Sequence, residues 1–164
     1  MPWEEKAGTI LWSYYAGMES GTALAGILTG RINPSGKLAE TFPRVYEDTP
    51  TGHNGQFGRD DMVCYEEEIM VGYRHYEKND ILPMFCFGHG LSYTEFAYHD
   101  LQVKQDNDAK DRVSISFDIE NVGQIDGREI VQIYVRDEEC TVIRPEKELK
   151  AFNCLLYTSP SPRD

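Results

Sequence analysis

Residues 113–121, VSISFDIEN, alternate without a break. Val113, Ile115, Phe117 and Ile119 fall on one side, and Ser114, Ser116, Asp118 and Glu120 on the other. A period of two fits a pleated strand buried on one face, and no helix. VGQIDG then reads as a turn and REIVQIYVRD as a further strand. KELKAF reads as the start of another, with Leu149 and Phe152 as its apolar members. Strands at this spacing with turns between them indicate a β-sandwich. Ten Tyr, seven Phe and two Trp suit the core of such a fold better than an aromatic-lined binding surface.

The first third of the chain has a different rhythm. TILWSYYA, residues 9–16, is an apolar run of strand length. In GMESGTALAGILTG, Ser20 can cap a helix whose apolar members are Ala23, Leu24, Ile27 and Leu28, and Gly30 sits where a helix-ending glycine belongs. NPSG, residues 33–36, reads as a turn and KLAETF as a second short strand. Strand, helix, turn, strand is the closing unit of an α/β domain. Residues 43–62 form a long polar loop, of the kind that is functional or crosses between domains. VCYEEEIMVGYRHYEKND and ILPMFCFGHGLSYTEF read as extended segments joined by an Asn-Asp turn.

Composition excludes several classes. Sixteen basic residues against 28 acidic ones, a net charge of −12, leave no basic stripe for nucleic acid. No apolar run is long enough for a membrane-spanning helix, and the first residues lack the pattern of a signal peptide. Cys64, Cys86, Cys140 and Cys154 form no CxxC pair, so no cofactor or metal site is expected from them. Cys86, within an apolar run, is expected to be a buried small hydrophobe.

Few side chains stand out as chemistry. GRINPSGK departs from a phosphate-binding loop in glycine spacing, in having Leu38 for Ser/Thr, and in following a helix. Glu66, Glu67 and Glu68, read on a strand, point to alternate faces and describe a solvated edge. His53, His75, His89 and His99 lack ligand spacing, and His89 between two glycines suits a hydrogen-bonded turn. Glu19 lies between a strand end and a helix start, where α/β folds place their chemistry. A carboxylate there also simply favours a helix N-terminus.

Four stretches taken together are more specific: MPWEEK, YYAGMESGTALAGILTGRINPSGKLAETFP, YEEEIMVGYRHYE and FCFGHGLSYTEF. In order and spacing they resemble the C-terminal half of glycoside hydrolase family 3 enzymes, the β-glucosidase and β-xylosidase family. VSISFDIENVGQIDGREIVQIYVRD and RPEKELKAF continue the resemblance into a fibronectin type III-like domain. Cys86 stands where the family usually has proline, and Glu67–Glu68 where an EG pair is usual.

The resemblance implies an α+β fragment, the closing strand-helix-strand unit of an α/β domain followed by an incomplete immunoglobulin/fibronectin III-like β-sandwich. Residues 1–45 would end the α/β domain, 46–95 would be an inter-domain loop with connecting strands, and 96–153 a truncated fibronectin type III-like domain. Residues 154–164, CLLYTSPSPRD, resemble the translation of a transposase adapter used in sequencing libraries. The implied activity is retaining hydrolysis of terminal non-reducing sugars from β-glycosides. The partner is then a small carbohydrate, with no nucleic acid or membrane, and with homo-oligomerisation and compartment left open. The nucleophile and the acid/base are expected upstream of Met1, with Glu19 a positioning or structural residue. The competing reading is a β-sandwich binding or adhesion module without catalysis.

Overall fold

The computed structural model describes residues 3–55, Gly58, 64–105 and 112–157. Short helices come first: a 3-10 turn at Glu4–Lys6, α1 at Ser20–Leu28, a 3-10 turn at Tyr46–Asp48, α2 at Pro50–His53 and α3 at Tyr73–Lys78. Four strands follow among the described residues: β1 at Phe96–Gln105, β2 at Val113–Asn121, β3 at Gly127–Val135 and β4 at Glu148–Tyr157. β1 pairs with β2 and β3 with β4, in two separate two-stranded sheets. The α+β mixture is the expected one. The chain divides into two compact units, one of Met1–Ser20, Gly36–Gly90 and Val131–Asn153, the other of Gly21–Ser35, Leu91–Ile130 and Cys154–Asp164.

In the second unit the antiparallel β1–β2 register follows from the apolar pattern. β2 alternates as its sequence predicts, with Ile115, Phe117 and Ile119 half-buried and Ser116, Asp118 and Glu120 exposed. In β1 the apolar residues fall at Phe96 and Tyr98, then at Leu101 and Val103, a slip of one position. The ladder slips at the same place. His99 faces Asp118 and Gln102 faces Ser116, so β1 carries one residue more than β2 between these pairs. Asp100 absorbs the extra residue at φ 53°. This is a β-bulge, and it returns both halves of β1 to the face of Ile115 and Ile119. Tyr98 and Phe117 meet across it with ring centroids 6.1 Å apart.

Two asparagines hold the ends of this unit. Buried Asn121 accepts at Oδ1 from Thr94 Oγ1 (2.6 Å) and Gly123 N (3.1 Å), and its Nδ2 donates to Ile125 O (2.9 Å). That closes the turn after β2, where the chain leaves one sheet for the other. Asn33 donates to Asp126 O (3.0 Å) and accepts from Ser92 Oγ (3.0 Å) and Tyr93 N (2.8 Å). α1 ends as expected, with Gly30 at φ 72° and its N–H on Ile27 O.

Several local expectations give way. Residues 9–16 form no ladder among the described residues, and Leu11, Trp12, Tyr14 and Tyr15 are exposed. A strand needs a neighbour for its N–H and C=O groups, and none of the described residues supplies one. KLAETF is only partly a strand: Leu38 exchanges hydrogen bonds with Gly88 and His89, and Phe42 bridges Phe85. Residues 33–36 are not a turn; the Asn33 side chain does the fastening instead. The loop at 43–62 contains the Tyr46–Asp48 turn and α2, while residues 56, 57 and 59–63 lie outside those described. Cys86 is exposed, not buried. GYRHYEK, expected to be extended, is helical because Gly72 takes φ 56°, ψ −138°, a conformation open essentially to glycine, and turns the chain into α3. The expected Asn-Asp turn is present, with Asn79 capping α3 and Asp80 at φ 52°.

The bulge makes a direct forecast. Asp100 is exposed, so Asp100→Val loses no core packing but forces a β-branched residue to positive φ, at a cost of about 1–2 kcal/mol. Asp100→Gly should be neutral or slightly stabilising; urea unfolding of both variants measures the difference.

β4 runs through Tyr157, beyond Asn153, where the family-like pattern stops. Its outer part buries little, since Phe152 is 72% and Leu156 64% exposed and Cys154 is exposed. Deleting residues 154–164 should therefore cost less than about 1 kcal/mol in chemical denaturation, the range of ordinary surface changes.

Candidate functional site

Within the first unit α3 is tied at several points. It is short, and its side chains leave on two sides. On one side Tyr73 packs its ring 5.3 Å from Phe87 and edge-on at 5.7 Å to Tyr134, while its hydroxyl accepts from Leu149 N at 2.9 Å. Arg74 pairs with Glu148 at 3.2 Å, and Glu77 with Lys147 at 2.7 Å. The Lys147 ammonium also lies 5.3 Å from the centre of the Tyr134 ring. Burial pushes the Tyr134 phenol above its usual range, with Tyr73 and Glu77 adding to the shift. Glu148 is held below the usual carboxylate range, first by its hydrogen bond to Lys150. Tyr134 OH donates to Gln132 Oε1, whose amide nitrogen donates to Gly88 O.

On the other side, His75 and Tyr76 turn toward residues 44–54 and are both buried. His75 Nε2 lies 3.1 Å from Asp48 O, and Asn79 Nδ2 lies 3.2 Å from His75 Nδ1. The His53 ring meets His75 edge-on at 5.4 Å. Asp48 in turn closes its own loop, its Oδ2 accepting from Arg44 N and Val45 N. Burial lowers the His75 pKa, with the Asp48 backbone bond opposing and His53 reinforcing the shift. α3 thus ties the polar loop through His75 on one side and, through the Tyr73–Phe87 contact, the segment at Met84–His89 on the other. His75 and Asn79, four apart, share a face only when YRHYEK is helical, and the sequence of this stretch does not signal a helix.

The other candidates stay apart. Glu19 lies in the turn just before α1, exposed, and its carboxylate makes no hydrogen bond or ion pair to a described residue. Glu66, Glu67 and Glu68 sit in a turn, not on a strand edge, with Glu68 at φ 49°. His89 does occupy a hydrogen-bonded bend, its N–H on Cys86 O, its carbonyl accepting from Leu38 N and its ring stacked on Phe85. His99 pairs with Glu120 on the outer face of β1–β2. Among the described residues no three His, Cys, Asp or Glu side chains cluster as a metal site would require.

α3, the bridged segments and the pinned loop precede, in chain order, the small antiparallel sheets. The chain matches the glycosyl hydrolase family 3 C-terminal domain over residues 1–93. It belongs to glycoside hydrolase family 3. It is 49% identical over 153 residues to thermostable β-glucosidase B of Acetivibrio thermocellus, covering 93% of this chain and 20% of that protein. It is 40% identical over 156 residues to β-glucosidase BoGH3A of Bacteroides ovatus, covering 93% and 21%. Among solved structures it superimposes on β-glucosidase 3B from Thermotoga neapolitana in complex with glycerol with a TM-score of 0.89 and 41% identity, over 97% of this chain and 22% of that one. For the Bifidobacterium adolescentis family 3 β-glucosidase the TM-score is 0.91 at 35% identity, over 98% and 23%. The chain spans about a fifth of the length of these relatives.

The anchoring of α3 can be tested at one atom. Tyr73→Phe keeps the ring contacts but leaves Leu149 N–H without its acceptor, so the urea midpoint should fall by the equivalent of about 1 kcal/mol. An unchanged midpoint would show that water replaces the bond at no cost.

Proposed function

We propose that this chain is the C-terminal part of a retaining, β-glucosidase-like hydrolase acting on terminal non-reducing sugars of β-glycosides. Its role there is to brace the enzyme, not to supply the reacting groups. The observation that carries this is the 49% identity over 153 residues to a β-glucosidase of which the match is one fifth. The substrate class follows the β-glucosidase names of the relatives, a small carbohydrate.

Retention requires two carboxyl groups about 5–5.5 Å apart, one to attack the anomeric carbon and one to protonate the leaving oxygen and then activate water. The pair is assigned to the part of the relatives that this chain does not match. Glu19, exposed beside the start of α1, is assigned a positioning role near the helix N-terminus, where a carboxylate is favourable. Residues 43–62 are assigned to the substrate side of the enzyme, and residues 46–95 as a whole to the link between the α/β and fibronectin-like parts. A binding module without catalysis would have its sandwich preceded by an unrelated domain, and residues 1–93 match the hydrolase family instead.

The purified chain should leave aryl β-glucosides and β-xylosides unhydrolysed. Turnover well above a buffer blank, abolished by Glu19→Gln, would place a catalytic carboxylate inside residues 1–164 and overturn the assignment.

A further inference from the structure

His75 is 4% exposed, and each of its ring nitrogens is committed. Asp48 O is a carbonyl oxygen and can only accept, so Nε2 carries the proton. Asn79 Nδ2 lies 2.9 Å from His75 O as well as 3.2 Å from Nδ1. Only the NH2 end of the amide suits a position facing a carbonyl oxygen, so Nδ1 must offer a lone pair. Protonating Nδ1 sets two donors against each other. Turning the Asn79 amide over would relieve that clash, but would bring Oδ1 against His75 O. Either way, a buried polar bond is lost.

We propose that His75, Asn79 and the Asp48 carbonyl form a proton-operated latch, which ties residues 44–54 to α3 while His75 is neutral and releases them when it is protonated. The release is local because α3 has its own anchors on its other side, through Tyr73 to Leu149, Arg74 to Glu148 and Glu77 to Lys147. The titratable groups facing the ring are few. Asp48, from the 3-10 turn, attracts the imidazolium, but its carboxylate is turned to Arg44 N and Val45 N. His53, from α2, disfavours the imidazolium. Tyr76, adjacent on α3, presents its ring at 5.4 Å.

The sign follows from burial. His75 titrates below 6.5 when latched and near that value when released, so the released form binds the extra proton. The latch is whole above pH 6.5 and weakens as pH falls toward the latched pKa, by up to about tenfold per pH unit.

The full chain, labelled with 15N-histidine, tests both halves. Ring spectra at pH 7.5 should show His75 with its proton on Nε2. Hydrogen exchange referenced to unfolded-peptide rates should show residues 44–54 losing protection from pH 6.5 to 5.5, by up to about fivefold for one proton taken up near 6.5 on release, while residues 96–105 stay unchanged. His53→Gln should keep this response. Asn79→Asp, which offers Nδ1 an acceptor, should raise the His75 pKa and abolish it. A proton on Nδ1, equal protection of residues 44–54 at the two pH values, or a response lost in His53→Gln would each overturn the latch. The wild-type spectra decide the tautomer even if Asn79→Asp does not fold.

Discussion

Among the described residues water reaches most of the apolar side chains, and the rest of the structure follows from that. Among the described residues only Tyr76 and Val131 are buried hydrophobics, while Trp3, Trp12, Tyr15, Met18, Leu28 and Leu91 are among those left exposed. Burial of apolar surface is the dominant favourable term in folding, at roughly 25 cal/mol per Å². A chain that keeps so much of it in water has to be held by other means. Here these are directional contacts: the Asn121 and Asn33 networks in one unit, and the Tyr73, His75 and bridged Phe42–Phe85 contacts in the other. Exposed large apolar side chains in this number accompany a chain that spans about one fifth of its relatives' length.

The same fact explains which sequence readings survived. β2 was legible because its period is self-contained: Val113 to Ile119 alternate whatever lies beyond them. β1 was harder, since its apolar phase slips between Tyr98 and Leu101, and only the pairing register reveals the slip as a bulge at Asp100. Residues 9–16 have the composition of a covered strand, but composition specifies a strand only when neighbours accept its hydrogen bonds. α3 is not legible in the sequence because Tyr and His are weak indicators of either state, and the decisive element is the conformation of Gly72.

The site was less legible than the fold. The order of the motifs carried the family, but no local pattern pointed to His75, which becomes notable only once a helix places Asn79 beside it and a loop brings Asp48 to its other nitrogen. Glu19 shows the converse: a suggestive position in the sequence whose carboxylate meets no described partner. Motif position suggests where chemistry belongs in a fold, whereas burial and hydrogen bonding decide whether a side chain is prepared for it.

A graft tests the central claim, that the chain braces a β-glucosidase and leaves the chemistry to the rest of it. Residues 1–153 would replace the matching segment of the Acetivibrio thermocellus β-glucosidase B, and kcat/KM would be measured on an aryl β-glucoside. The account predicts a soluble chimera within about tenfold of the parent, a loss of no more than about 1.4 kcal/mol in transition-state stabilisation. A chimera that folds with the parent's melting behaviour yet shows no hydrolysis would contradict it.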